Sequence, residues 1–415
     1  MSFWCIILLA LSFIVKPISA QQKQNNKKIN ACIDSIIHSN IAQKNIPGAV
    51  ILIKKGNKSI LHKSYGFAQL NDKYGNPLNN PIRMTKKHRF DIASLTKVIG
   101  TTTSIMYLMD KGLISIEDKV SKYIPSFKSV DKENISIRHL LTHTSGLYAW
   151  YPMYYKSSTK NDTYHFISTL PLQDSIGKRR MYSDLGFTIL GQIIEKVSSR
   201  TLDKFGQEYI FKPLKMLKTC YNPVSEKSKI KIAATSFGNP YEKRMVYDTS
   251  LHMRPEEIDP ASWNGWRRYT LTGEVNDGNT WYANGGVSGA AGLFSTAADI
   301  HKIVDLLQNG GTWKGKQFIS TKTIGLFLTK DEFQNGLGWM MDTTNSFIKD
   351  APTGSFGHTG FTGTSISVIP KHNISVIILT NRQQAGLSTQ GNYPDLSSMR
   401  KGLFKTVMDY LIYTK

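Results

Sequence analysis

Residues 94–111 read SLTKVIGTTTSIMYLMDK, with Gly112 directly after them. Leu95, Val98, Ile99, Ile105, Met106 and Met109 recur at helical spacing and predict one amphipathic helix. Gly112 supplies the left-handed stop that such a helix commonly takes. The helix opens on Ser94-Leu95-Thr96-Lys97, and a spacing of three sets Lys97 one turn beyond Ser94 on the same face. A serine hydroxyl is a poor nucleophile unless a base stands beside it. A buried lysine with a lowered pKa can be that base, and a helix N-terminus adds partial positive charge where an oxyanion would develop. On its own the tetrad reads equally well as a helix cap followed by a surface lysine.

The segments around this helix differ in kind. Upstream, Ile29, Ile33, Ile36, Ile37 and Ile41 predict a helix over 29–45, ended by Pro47-Gly48. Ala49 to Ile53 and Ser59 to Tyr65 flank Gly56-Asn57 and read as a β-hairpin, followed by a short strand and then a loop over 71–82 rich in Asn, Gly and Pro. Downstream, 113–290 read as helices and loops, with helices near 136–143, 161–170, 184–199 and 201–211. Strands return at Gly336 to Met341, Ser365 to Ile369 and Ser375 to Thr380, the last two joined by a turn at 370–373, and Leu396 to Tyr413 closes the chain as an amphipathic helix. That order implies an α/β (α+β) domain built from both termini, residues 21–93 with 290–415, and a mostly helical domain, 94–289, inserted between them. The active site is expected at their interface.

The 415 residues include 18 Phe, 19 Tyr and 7 Trp, which excludes wholesale disorder. No repeat of 20–50 residues appears, so a solenoid or propeller is excluded too. Phe3 to Val15 is one apolar run, too short to span a membrane, and Ile18-Ser19-Ala20 follows it with a small residue for cleavage. Residues 1–20 therefore read as a signal peptide and place the protein in the periplasm or outside the cell. Met1-Ser2 lacks the usual positive charge, so an uncleaved N-terminal anchor is the alternative. Export would leave Cys32 and Cys220, for which two separate free thiols are the favoured reading over a disulfide. The 52 basic against 30 acidic residues give a formal charge of +22, scattered in small groups such as Lys178-Arg179-Arg180. No nucleic-acid-reading motif accompanies them. A lysine-rich solvated surface explains the charge, and an anionic cell envelope is the partner it would suit.

Three further motifs accompany the Ser-x-x-Lys tetrad. Tyr182-Ser183-Asp184 precedes an apolar helix, His358-Thr359-Gly360 opens the late strands, and GGVSGAAGLFSTAADI (285–300) joins a glycine-rich loop to a capped helix start. With IRHLLTHTSGL (137–147) after EDKVSKYIP (117–125), they resemble the serine β-lactamase and penicillin-binding protein superfamily, near its class C β-lactamase-like branch. The resemblance runs from Pro47 to the last helix. Tyr182 to Leu185 and Gly273 to Asp277 look most like a sub-branch of periplasmic esterase-like or D-alanyl-D-alanine carboxypeptidase-like proteins.

The resemblance implies an antiparallel sheet flanked by the terminal helices, an acyl-enzyme on Ser94, Lys97 as its proton acceptor, and Tyr182 passing protons to the leaving group. Backbone N–H groups of Ser94 and Phe361 would form the oxyanion hole. Asp184, His358, Thr359 and Gly360 would contact the substrate, a small peptide or ester, with peptidoglycan as its source. No metal or organic cofactor is implied. Most relatives carry Asn where Asp184 stands. An ionised Asp184 would hold Lys97 protonated, the wrong state for a base, whereas a neutral one could mimic an amide. Penicillin-recognising members usually carry Lys where His358 stands, and a histidine would make carboxylate recognition pH-dependent. Histidine there also occurs among D-aminopeptidase- and esterase-like relatives, which stand as alternatives to a carboxypeptidase, beside a non-catalytic binding or assembly member of the fold.

His139 and His143 have the spacing of a zinc pair, but Leu140 replaces the glutamate of HExxH, so they read as a packed helix end. Tyr148, Trp150, Tyr151, Tyr154 and Tyr155 either wall the active site or pack the helical region, and Trp150 is retained as a substrate contact. Trp263, Trp266, Arg267, Arg268, Trp281 and Tyr282 are a candidate substrate-facing loop.

Overall fold

The computed structural model describes residues 20–223 and 231–413. Apart from Ala20, the expected leader 1–20 lies outside them. The chain opens with helix α1 (Ala20–Ala42), strands β1 (Gly48–Lys55), β2 (Lys58–Asn71) and β3 (Pro77–Arg83), and the short β4 (Phe90–Asp91). Helices α2 (Thr103–Asp110), α3 (Ile137–Leu141), α4 (Lys160–Thr169), α5 (Asp184–Ser198) and α6 (Leu202–Phe205) follow, then β5 (Cys220–Tyr221) and α7 (Pro240–Tyr247). The last part holds β6 (Leu293–Ser295), α8 (Ala297–Gln308), the ribbon β7 (Thr312–Trp313) and β8 (Lys316–Gln317), and α9 (Thr321–Phe327). It ends with β9 (Phe356–Gly360), β10 (Thr364–Ile369), β11 (Ile374–Thr380) and α10 (Ser397–Met408).

The protein is a mixed α/β molecule around a six-stranded antiparallel sheet, ordered β3-β2-β1-β11-β10-β9. Early and late strands meet where β1 pairs β11, with Leu52 opposite Ile377. Alternation sorts the two faces. Ile51, Ile53, Val376 and Ile378 pack under Ile33, Ile37, Leu403 and Val407 of α1 and α10, while Val50, Leu52, Ile377 and Leu379 join the main core. Both faces are thus covered, which is why β11 (ISVIILT) reads as a continuous apolar run.

Four local expectations need correction. The helix after Ser94 is interrupted by a π-turn at Lys97–Thr102 before α2 begins, an irregularity that often marks functional sites. Its end is as expected, with Gly112 at φ 69° and Leu113 N–H bonded to the Leu108 carbonyl at 3.0 Å. The loop over 71–82 contains β3, whose Pro77 and Pro81 are tolerated because β3 is an edge strand. Gly336 to Met341 is a turn, reversed at Gly338 (φ 83°), with only Met340 bridging to Gly357. The polar stretch from Gln21 to Lys28 belongs to α1, ahead of the apolar positions that announced it.

Cys32 and Cys220 are not joined to each other by a disulfide. Cys32 lies 3.8 Å from the Tyr410 hydroxyl on the α1–α10 side, and Cys220 accepts from Arg89 at 3.1 Å.

Candidate active site

Ser94 sits where β4 hands over to the π-turn. Ala93 has φ 45°, a left-handed backbone that is rare for a residue with a side chain and is held by its N–H on Asp91 Oδ1 at 2.9 Å. This turn lifts Ser94 to the floor of a cavity of about 600 Å³. Lys97 N–H then bonds back to the Ser94 carbonyl at 3.0 Å, so the two side chains share one turn.

Lys97 is fully buried. Its ammonium donates to Ser94 Oγ at 3.1 Å and to the Ala290 carbonyl at 2.8 Å, and lies 2.7 Å from Asp184 Oδ1. It also stands 5.2 Å from the Tyr182 ring centre and 5.8 Å from that of Phe187. Burial opposes its charge, but the Asp184 carboxylate and the Tyr182 phenol outweigh burial and raise its pKa above the ordinary lysine value. The expected base with a lowered pKa is therefore, at rest, a protonated donor to Ser94. The cause is Asp184, held at the start of α5 by the Ser183 cap, where a carboxylate is favoured.

Tyr182 stands beside Ser94 and Lys97; burial raises its pKa and the Lys97 charge pulls the other way. His358 lies on β9 with its ring centre 6.0 Å from that of Tyr182, and its Nδ1 meets the Thr359 carbonyl at 2.8 Å. Burial, reinforced by the Lys97 charge, takes its pKa down to about 3. The expected titration of His358 near neutral pH is thus corrected, because the ring is buried beside an ammonium. Thr359, Gly360 and Phe361 continue along the cavity wall. A side chain at Gly360 would collide with Thr364 Oγ1 and the Ile92 carbonyl, so glycine keeps β9 close to the segment carrying Ser94. Phe361, the second expected oxyanion donor, is backed by Arg382, which donates to its carbonyl and packs 5.3 Å from its ring centre.

Of the aromatic cluster after Gly146, Trp150 lines the cavity, whereas Tyr154 is buried against Trp263, Trp266 and Tyr282. That contact corrects the substrate-facing loop: these rings pack with one another, and Arg267 is buried on Asn239 Oδ1 and the Asn276 carbonyl. His139 accepts the Ser136 N–H at 3.1 Å to close a helix cap, while His143 stacks on Tyr182. The cavity also receives Arg180, Glu242, Asp277, Arg382 and Arg400, which sequence reasoning had not assigned to the site. Arg180 and Asp277 lie in stretches already noted, the basic group 178–180 and the run 273–277. Glu242, Arg382 and Arg400 carry no local signal. Burial and the neighbouring Asp277 raise the Glu242 pKa to about 8.

A family model described as Beta-lactamase matches residues 33–396. The N-acetylmuramyl-L-alanine amidase of Bacillus subtilis (strain 168) is 31% identical over 391 residues, covering 89% of this chain and 84% of the relative. A Salmonella typhi protein, whose name proposes a D-alanyl-D-alanine carboxypeptidase, is 31% identical over 371 residues, covering 84% and 82%. Among solved structures, a penicillin-binding protein homologue from Caulobacter crescentus superimposes with a TM-score of 0.66 at 18% identity, over 92% of this chain and 98% of that one. EstCE1, a hydrolase with promiscuous acyltransferase activity, gives 0.65 at 20% identity, over 91% and 99%.

Proposed function

The chain belongs to the beta-lactamase family, within the serine β-lactamase and penicillin-binding protein superfamily, and from that premise we propose an exported serine hydrolase that forms an acyl-enzyme on Ser94. Its substrate class is a D-amino-acid peptide of the cell wall, cleaved by carboxypeptidase action. The observation that carries this is the contact of Lys97 Nζ with Ser94 Oγ at 3.1 Å, with the Tyr182 ring centre 5.2 Å from the same ammonium on the floor of the cavity. The names of the amidase and carboxypeptidase relatives support the substrate class, and the apolar run 3–15 supports export.

Attack by Ser94 needs its proton removed, and Lys97 can accept one only after giving one up. Asp184, 2.7 Å away, is the acceptor in contact. Lys97 passes a proton to Asp184 and takes the one from Ser94 as the Oγ–carbon bond forms. Backbone N–H groups of Ser94 and Phe361 hold the oxyanion. As the scissile bond breaks, Tyr182 gives its proton to the leaving amine and regains one from Lys97. Water then enters by the reverse route, its proton returning through Tyr182 to Ser94, and Asp184 hands its proton back to Lys97. With His358 neutral, Arg180, Arg382 and Arg400 supply the positive charge that a peptide carboxylate requires.

The test is the intact mass of the mature protein after incubation with a penicillin, wild type beside Ser94→Ala. The expected result is a one-penicillin adduct in the wild type that is absent from the variant. An unlabelled wild type that also leaves the antibiotic intact would overturn the cell-wall peptidase reading and favour an esterase or D-aminopeptidase, for which the histidine at position 358 is the supporting observation.

A further inference from the structure

We propose that His143 is a positioning residue that fixes Tyr182 over Lys97, through contacts with both neighbours of Tyr182 and with its ring. The inference rests on the role proposed above for Tyr182 and adds the part that holds it.

His143 reaches the 181–183 segment at three points. Its carbonyl accepts the Met181 N–H at 2.8 Å, and its Nδ1 accepts the Ser183 N–H at 3.0 Å. Between these two bonds its ring lies against Tyr182, with centres 4.4 Å apart and planes inclined by 32°. Phe187 on α5 also packs on the His143 ring, with centres 5.0 Å apart. Tyr182 is left little room to tilt, while its ring centre stays 5.2 Å from the Lys97 ammonium.

Two features separate this grip from ordinary packing. His143 has φ 60°, a left-handed backbone just past the end of α3, which surrounding structure must hold in place. Its Nδ1 is an acceptor, so the neutral ring carries its proton on Nε2, and that atom is buried without a hydrogen-bond partner in the described structure. Protonating the ring would break the bond from Ser183 N–H and add a cation beside Arg180, Lys97 and His358. Burial and those same neighbours hold its pKa well below the ordinary histidine value. The ring works as a neutral wedge.

The experiment is a double-mutant cycle of His143→Ala with Tyr182→Phe. Turnover is measured on whichever substrate the wild type uses fastest among a penicillin, a D-alanyl-D-alanine peptide and p-nitrophenyl acetate. In the wild-type background His143→Ala is expected to lower kcat by about ten- to a hundredfold, the scale of a misplaced catalytic group, with KM nearly unchanged. In the Tyr182→Phe background it should cost almost nothing further, because the group it positions has gone. His143→Asn tolerates the left-handed backbone and offers a carbonyl acceptor, so it should recover part of the lost kcat. An equal loss in both backgrounds, or none in either, overturns the proposal. Should His143→Ala fail to fold, as judged by thermal melting, His143→Asn and His143→Phe are read through the same cycle with the same criterion. Ser94→Ala and Tyr182→Phe that both keep full turnover would instead sink the acyl-enzyme reading, an outcome distinct from failure of His143 alone.

Discussion

Two carboxyl groups line the same cavity and live by opposite rules. Asp184, on the floor, is 2.7 Å from the buried Lys97 ammonium. Glu242, on the wall, receives the Gly278 N–H at 2.8 Å, has Tyr154 beside it, and shares its surroundings with Asp277. Arg267 adds a favourable charge, and that effect is outweighed, so the Glu242 pKa rises to about 8 and the group is largely neutral at pH 7. The difference lies in the partners and not in the residue type. An acid beside a buried ammonium is fixed as half of an ion pair, while an acid beside another acid gives up its charge.

The largest effect comes from removing the ammonium that defines the floor. Lys97→Met should lower kcat by about a hundred- to ten-thousandfold, the usual span for loss of acid–base catalysis. It should also leave Asp184 without its counter-ion. A variant that retained near-normal kcat would remove Lys97 from the proton route.

Asp184→Asn comes next and tests the sign of the pair. Asp184 raises the Lys97 pKa, while burial alone lowers it. Without the carboxylate the lysine pKa must fall, so the rise of kcat/KM with pH moves toward acid. Each unit of that movement increases the free-base fraction at neutral pH by about tenfold. The same variant should melt lower at neutral pH, since a buried ammonium has lost its partner. A pH–rate profile that keeps its acid limb in place would show that Lys97 does not take the Ser94 proton.

The comparison also explains what the sequence could and could not reveal. Ser94 and Lys97 were legible because a three-residue spacing sets both side chains on one turn, and a π-turn in place of a regular helix preserves that relation. Tyr182 and His358 were found through short motifs that carry the family resemblance, and the antiparallel sheet through that resemblance and the two hairpins. Protonation states were not legible. They depend on contacts such as Lys97–Asp184, between residues 87 positions apart, and on burial that removes His358 from solvent. Glu242, Arg382 and Arg400 were missed for the same reason, because α7, the segment after β11 and α10 reach the cavity only in the folded chain. Strand β3 was hidden because its prolines argue for a loop, which is sound for a central strand and unsound at a free edge.

The smallest effect is the sharpest test of the wall. Glu242 has its folded pKa raised from 4.5 to about 8, so across that window the folded state holds a proton that the unfolded chain has shed. Its contribution to stability is complete below pH 4.5 and is lost as pH rises through 8. Glu242→Gln keeps the shape and cannot ionise, so its melting temperature relative to wild type should climb between pH 6 and pH 9. A change of ~1 kcal/mol moves the midpoint by roughly 2 °C in a chain of this size. The acid-to-amide exchange that destabilises the floor at Asp184 should therefore stabilise the wall on the alkaline side. If the two variants shift in the same direction at pH 8, Glu242 has a cationic partner after all, and Arg267 is the first place to look, because its charge already favours the ionised form of that carboxyl.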